Sequence, residues 1–277
     1  MKVIDFHVHP YLTEEEFISK YPECFAPSPE QAEADLRGCG ITRICGSVIG
    51  RTPYEPEKGF DYFRELNRKA LELKEKFGSF YIPGFHVHPD YIDESCREIE
   101  FMQEKGFRLI GELTPYQHGW RNYSCESFSE ILNEAGKYHM IVSYHTVLGE
   151  QEEMERMVAA HPDVIFAAAH PGERQDYDRH LERMMKHENL YLDLSGTGLF
   201  RYGMLAYGVR RVGADRFLFG TDYPICNPGM YVQAVLREPL TEREKEQILF
   251  RNAERLLGKT AEYQSICTTY YDGKHEI

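Results

Sequence analysis

Two histidines near the amino end of the chain are the first residues whose types and spacing could do chemistry. His7 and His9 flank Val8 after a short apolar run. Side chains at positions i and i+2 of a strand point to the same face, so the two imidazoles project together. Such a pair forms half of a tetrahedral zinc site or one wall of a two-metal site. A lone pair also arises by chance, so its meaning depends on the rest of the chain.

Further ligand-type residues follow later apolar runs. These residues are Glu112, His145, His170 and Asp222. Taken singly, each has an ordinary explanation, such as a helix cap for Asp222, a surface ion pair for Glu112, or a hydrogen-bonded buried histidine for the other two. Taken together, carboxylates at buried strand ends would leave unpaired charge in an apolar setting, and a divalent cation removes that cost. The combined pattern therefore predicts a metal site.

The elements that must position these side chains alternate regularly between two patterns. Continuous apolar runs, typical of parallel strands buried on both faces, are separated by amphipathic helical patterns. The predicted strands are 3–7, 42–49, 79–86, 107–114, 139–145, 164–170, 190–194 and 216–221, and the predicted helices are 30–38, 60–77, 91–105, 127–138, 150–160, 174–187, 204–212 and 241–257.

Eight such alternations without a break in composition predict an α/β protein with a single-domain (β/α)8 TIM barrel. We expect the barrel to span residues 1–258, with 259–277 as an extension of unassigned role. A doubly wound open sheet is the alternative. In a barrel, the carboxyl ends of all strands meet at one mouth, where the active site lies. The histidines and carboxylates named above would therefore converge.

Composition excludes several classes of function. The chain has 277 residues, of which 42% are hydrophobic and 28% charged, as expected of a globular protein. A net charge of −13 disfavours nucleic-acid and anionic-membrane partners, because both are bound largely through Lys and Arg. Seven cysteines without a CxxC pair disfavour a disulfide framework. With neither a signal-peptide pattern nor a long apolar run, we expect a cytoplasmic protein without a membrane span.

Motifs at both ends of the chain resemble the amidohydrolase superfamily of metal-dependent hydrolases. Ile4-Asp5-Phe6-His7-Val8-His9, Phe219-Gly220-Thr221-Asp222-Tyr223-Pro224 and the later Asn252-Ala253-Glu254-Arg255-Leu256-Leu257 are similar to the amidohydrolase-related branch, which also holds non-oxidative decarboxylases. Ile110-Gly111-Glu112 resembles instead the strand-4 motif of TatD-type nucleases and phosphotriesterase relatives, in which a carboxylate bridges two metals. The resemblance spans nearly the whole chain.

The resemblance implies that six residues contact metal, namely His7, His9, Glu112, His145, His170 and Asp222. The two N-terminal histidines and Asp222 would hold a first metal. Glu112 would bridge it to a second metal that His170 completes, and His145 would bind either one. In a mononuclear site, Glu112 would be a bystander and His170 would activate water. We favour a binuclear-capable site with zinc, and manganese, iron or cobalt as alternatives.

The predicted activity is hydrolysis of an ester, lactone, amide or phosphoester bond of a small molecule. A bound metal lowers the pKa of its water towards ~7 and polarises the oxygen under attack. Asp222 is the expected proton acceptor and His170 the alternative catalytic group. The first alternative function is a metal-dependent non-oxidative decarboxylase (a lyase) of the same fold. A TatD-like nuclease is disfavoured by the net charge, and a metal-binding barrel without activity is the non-enzyme alternative.

A second histidine pair complicates the assignment. Phe6-His7-Val8-His9-Pro10 recurs as Phe85-His86-Val87-His88-Pro89. We assign the metal to the first pair, because the resemblance places its HxH on strand 1. His86 and His88 are then predicted to face the substrate, as are Arg51 and Tyr116. The expected partner is a small-molecule substrate, and homo-oligomerisation is left open.

Overall fold

The structure, a computed structural model, describes residues 2–19, 21, 25–147 and 149–258. Its centre is a single sheet of eight strands that follow one another in chain order. The strands are β1 (Ile4–Asp5), β2 (Arg43–Gly46), β3 (Tyr81–Phe85), β4 (Leu109–Leu113), β5 (Ile141–His145), β6 (Ile165–Ala169), β7 (Leu190–Asp193) and β8 (Phe217–Leu218). All neighbouring pairs from β1–β2 to β7–β8 are parallel. The predicted single-domain (β/α)8 barrel is confirmed.

The barrel closes where the first and last strands meet, next to the HxH pair. The backbone N–H of Asp222 donates to the His7 carbonyl over 2.8 Å. Just below, the Asp5 carboxylate accepts from the backbone N–H of Thr221 over 3.0 Å and from its hydroxyl over 2.6 Å. These bonds hold the turn after β8 directly against the end of β1, which brings residues far apart in sequence into one wall.

Helices surround the strands. They are α1 (Pro29–Gly38), α2 (Asp61–Phe77), α3 (Ile92–Glu104), α4 (Pro115–His118), α5 (Glu126–Lys137), α6 (Gln151–Ala160), α7 (Arg174–Lys186), α8 (Met204–Val212), α9 (Pro228–Arg237) and α10 (Glu242–Glu246). A π-helical stretch, Gln247–Arg251, continues α10 into helix over 252–258. A capping box of Thr241 and Glu244 opens α10.

Two helices were missing from the sequence prediction. The connection between the predicted strand 107–114 and the predicted helix 127–138 contains α4, and 228–237 forms α9. The start of α9 carried a readable signal, because Asn227 caps it by accepting from the Met230 N–H over 3.2 Å and Pro228 occupies its first turn.

The hydrophobic core has two layers. An outer layer packs the helices onto the outside of the strands. An inner layer includes Leu109 and Ile141, which open β4 and β5, and is covered by Ala253 and Leu256 of the last helix. Because these apolar side chains fill the interior near the amino ends of the strands, the carboxyl ends are left for polar groups.

Three further predictions concern membrane spans, disulfides and the C-terminal extension. In the described part of the chain, no helix has the length and apolarity needed to cross a bilayer. The five described cysteines are all free. The extension at 259–277 lies outside the described residues, so its role is unassigned.

Candidate metal centre

The HxH pair and Asp222 meet at the closure of the barrel. The Nε2 atoms of His7 and His9 are 3.1 Å apart, and both side chains are buried. Asp222 Oδ1 lies 3.6 Å from the first and 3.4 Å from the second. All three ligand atoms fall within 4.8 Å of one another, as a shared metal ion requires.

Glu112 lies between this wall and a second pair of histidines. At the end of β4, its Oε2 is 3.5 Å from the Nε2 atoms of both His7 and His9. Its Oε1 lies 3.0 Å from His145 Nδ1 and 3.3 Å from His170 Nε2. The two oxygens of one carboxylate therefore face two separate sets of imidazole nitrogens. His7, Glu112 and His170 also form a group of ligand atoms within 4.8 Å.

The backbone at two of these residues is constrained. His170 and Asp222 have φ values of 68° and 64°, in the left-handed region that non-glycine residues seldom adopt. Each such conformation costs of order 1 kcal/mol and is typically retained at functional sites. Both follow strands whose ends aim the side chain into the mouth.

Neighbouring charges, more than burial, set the direction of the pKa shifts in the site. Burial alone lowers the pKa of His7, but the charges of Asp193 and Glu112 outweigh it and raise that pKa well above its ordinary value. Burial raises the pKa of Glu112, yet the charges of His7 and His145 hold it well below its usual range. For Asp222, neighbouring imidazoles likewise overcome burial and lower the pKa. Glu112 and Asp222 therefore stay ionised although they are buried, and they are stabilised by positive charge beside them.

The arrangement of nitrogen atoms fits a cation. His7 Nδ1 contacts a carboxylate oxygen of Asp193 at 3.0 Å, and His9 Nδ1 contacts the Ser47 carbonyl oxygen at 3.2 Å. Both partners only accept hydrogen bonds, so both Nδ1 atoms carry the proton. The Nε2 lone pairs of the two rings then face each other at 3.1 Å, which is unfavourable unless a cation or a proton lies beside them. A divalent ion satisfies these donors together with the ionised carboxylates.

Comparison with known families agrees with this donor set. A family model described as amidohydrolase matches residues 4–259. The chain belongs to the amidohydrolase family. With the ligand cluster, this makes it a metal-dependent enzyme of the amidohydrolase superfamily.

Solved structures share the amidohydrolase barrel at low sequence identity. An uncharacterized TIM-barrel protein from Bordetella bronchiseptica is 20% identical, with a TM-score of 0.76 over 94% of this chain and 100% of that chain. The 2,6-dihydroxybenzoate decarboxylase from Rhizobium is 16% identical, with a TM-score of 0.72 over 93% and 98%. A dihydroxybenzoic acid decarboxylase from Polaromonas, with bound manganese and the inhibitor 2-nitroresorcinol, is 14% identical, with a TM-score of 0.68 over 93% and 96%. No curated protein sequence matches.

The residues predicted to contact substrate lie in different surroundings. Tyr116 is 65% exposed at the mouth, and its ring lies 5.0 Å from that of His145. Arg51 is exposed and donates to the Glu15 carbonyl over 3.0 Å, so it ties two loops together. Substrate contact by these two side chains stays a prediction.

The second histidine pair is buried. His86 Nε2 donates to the Val48 carbonyl over 2.7 Å, and His88 Nε2 donates to the His118 carbonyl over 2.9 Å. Both rings pack within the wall between the loops after β2, β3 and β4. Their predicted contact with substrate therefore gains no support from the geometry.

The sequence analysis did not identify two residues that contact the histidines of the amidohydrolase site from outside it. Asp193 ends β7, and Ser195 follows two residues later. Both are fully buried and contact the site histidines. A signal existed, because a carboxylate at the end of a barrel strand was the criterion that selected Glu112.

Proposed function

We propose that this amidohydrolase holds two divalent ions and hydrolyses an ester, lactone, amide or phosphoester bond of a small molecule. The observation that carries the proposal is the position of Glu112, whose two oxygens face two different sets of nitrogen ligands. A carboxylate shared in this way would be suited to bridge the two ions of a binuclear site. In a one-metal enzyme the same buried charge would need another partner.

The proposed ligands divide into two groups around Glu112. His7, His9 and Asp222 would hold the first ion, and His145 and His170 the second. Zinc suits a set rich in imidazole, and manganese suits one with carboxylates, so either ion fits the donors. The Polaromonas neighbour, which contains manganese, supports testing both.

The side chains have separate tasks in this proposal. The ions, when bound, would supply an acidified water and Lewis-acid polarisation of the oxygen under attack. Asp222, ionised and beside both histidines of the first wall, would accept a proton from the nucleophile and pass it to the leaving group. Tyr116, exposed next to His145, would line the approach of the substrate.

Non-oxidative decarboxylation of an aromatic carboxylate is the second candidate. The comparisons favour it more directly than hydrolysis, since structural neighbours include decarboxylases of 2,6-dihydroxybenzoate and 5-carboxyvanillate. Decarboxylation would replace the carboxylate of the substrate by a proton, and Asp222 or His170 would deliver that proton to carbon. A single ion suffices for this chemistry, so Glu112 would not be needed as a bridge between two ions.

A paired activity screen tests the two candidates. Protein reconstituted with Zn²⁺ or Mn²⁺ is offered lactones, phosphoesters, amides and aromatic carboxylates, and acid release and CO₂ release are followed in parallel. The proposal expects hydrolysis of at least one class, lost in both Asp222→Asn and Glu112→Gln. Release of CO₂ from an aromatic carboxylate, without hydrolysis of any other class, would overturn it in favour of decarboxylation.

A further inference from the structure

One buried carboxylate, Asp193, contacts His7 of the first histidine pair directly and His170 through a serine. Asp193 is fully buried at the end of β7, and its Oδ2 lies 3.0 Å from His7 Nδ1. Its Oδ1 accepts from the Ser195 backbone N–H over 2.9 Å and also from the Ser195 hydroxyl. That hydroxyl oxygen is in turn 3.0 Å from His170 Nδ1. Two site histidines, which follow β1 and β6, are thus connected through the last residue of β7 and the serine two positions later.

The positions of the protons follow from what each atom can do. An ionised carboxylate only accepts, so His7 Nδ1 must donate to Asp193, and Nε2 is the nitrogen left to offer its lone pair to a bound metal. The single hydroxyl proton of Ser195 goes to Asp193, so towards His170 the serine oxygen can only accept. His170 Nδ1 must therefore carry a proton as well, which leaves His170 Nε2 to face Glu112.

Two glycines allow the backbone to approach the side chains of His7, His170 and Asp193 closely. A Cβ atom at Gly196 would lie 2.3 Å from His170 Nδ1, and one at Gly220 would lie 2.9 Å from His7 Cβ and 3.1 Å from Asp193 Oδ1. Backbone therefore packs directly against the ring of His170, and against His7 at its Cβ atom. The hydrogen bonds act on side chains that are already closely packed.

We propose that Asp193 is the positioning residue of the centre, which fixes the tautomers of His7 directly and of His170 through Ser195. Both rings are thereby held with Nε2 free to act as a ligand or a base. This inference rests on the proposed metal site and adds to it the group that keeps two of its six ligands in the metal-binding form. Residues behind a metal ligand commonly change metal affinity by about 10–100-fold when substituted.

The substitution Asp193→Asn tests the inference, because it keeps the shape of the side chain and replaces one acceptor oxygen by an NH₂ donor. The asparagine oxygen would face the two donors of Ser195, so its amide NH₂ would face His7 Nδ1. Two donors would then oppose each other, and His7 would have to place its proton on Nε2, against the metal. We expect Zn²⁺ affinity, measured by competition with a chromophoric chelator, to fall about 10–100-fold. Asp163→Asn, an equal change of charge at an exposed position, is the control and should leave the affinity unchanged.

Nuclear magnetic resonance of the histidine rings supplies a readout that a merely structural role would not produce. In the zinc-loaded full chain labelled with [¹⁵N]histidine, the Nδ1 protons of His7 and His170 should appear as protected signals, assigned with His7 and His170 variants. Asp193→Asn should change both signals, whereas Ser195→Ala should change that of His170 alone. The serine variant removes only a hydroxyl group, so it keeps the test available if the aspartate variant does not fold.

The outcomes separate this inference from the proposed function. If wild-type protein binds no Zn²⁺, the proposed function fails. If it binds Zn²⁺ and Asp193→Asn retains wild-type affinity, the role assigned to Asp193 is wrong while the metal site stands. An unchanged His170 signal in Ser195→Ala would likewise refute the link through Ser195.

Discussion

At the scale of single residues, the site is a set of buried carboxylates and imidazoles that a divalent cation would satisfy together. His7 and His9 each use Nδ1 on an acceptor outside the site, so their Nε2 atoms are committed to its centre. Glu112 and Asp222 stay ionised although both are buried. These contacts explain why the six polar residues indicate a metal site when taken together, whereas each alone has an ordinary structural explanation.

Loss of either the proton acceptor or a ligand should stop turnover without unfolding the chain. For Asp222→Asn and His7→Ala we expect kcat to fall by at least ~10²-fold, the usual contribution of a positioned proton-transfer group. Circular dichroism checks the fold, and steady-state kinetics on a substrate from the screen check the activity. Wild-type turnover in either variant, or in metal-stripped protein, would contradict the proposed roles.

His86 should make the stability of metal-free protein depend on pH. Burial lowers the pKa of His86 to about 4, partly offset by its bond to the Val48 carbonyl, with His9 and Glu112 as the charged neighbours. The unfolded chain then binds more protons, so this contribution is complete above pH ~6.5 and is lost as pH falls towards about 4. The loss is on the order of 3 kcal/mol. Urea unfolding from pH 7 to 4.5 should show a flatter pH dependence in His86→Gln, and an identical dependence would refute this assignment.

At the scale of elements, side chains join the strands to the helices that support them. Asn252 of the last helix is buried, and its Nδ2 donates over 2.8 Å to the carbonyls of both Ala214 and Phe217. The Asn-Ala motif, used above only as a mark of resemblance, therefore has a structural purpose. It fixes the last helix to β8, which precedes the turn that carries Asp222.

Asn252→Leu should destabilise the protein through these two carbonyls. The substitution keeps the volume but leaves two buried acceptors without a donor, at about 1–3 kcal/mol each. We expect the free energy of unfolding to fall by roughly 2–4 kcal/mol in urea titrations. Thr241→Ala, which removes the cap of the same helix at an exposed position, should cost only ~1 kcal/mol. Equal effects of the two substitutions would show that the carbonyl contacts of Asn252 contribute little.

At the scale of the whole molecule, sequence patterns predicted the barrel and the convergence of its strand ends, because apolar runs mark buried parallel strands. They did not predict α9, although Asn227 and Pro228 mark its start. Nor could they show that Asp193 reaches His7, since strand order gives neighbours in a barrel but not the direction of each ring. The division of the two oxygens of Glu112 between two sets of ligands likewise appears only in three dimensions.

The number of metal ions per chain tests the central claim most directly. Protein saturated with Zn²⁺ or Mn²⁺ and freed of excess metal is analysed for elemental content, beside Glu112→Gln and the Asp163→Asn control. If Glu112 bridges two ions, wild type and control should hold about two per chain and Glu112→Gln about one. One ion per chain in the wild type, unchanged in Glu112→Gln, would contradict the bridged site.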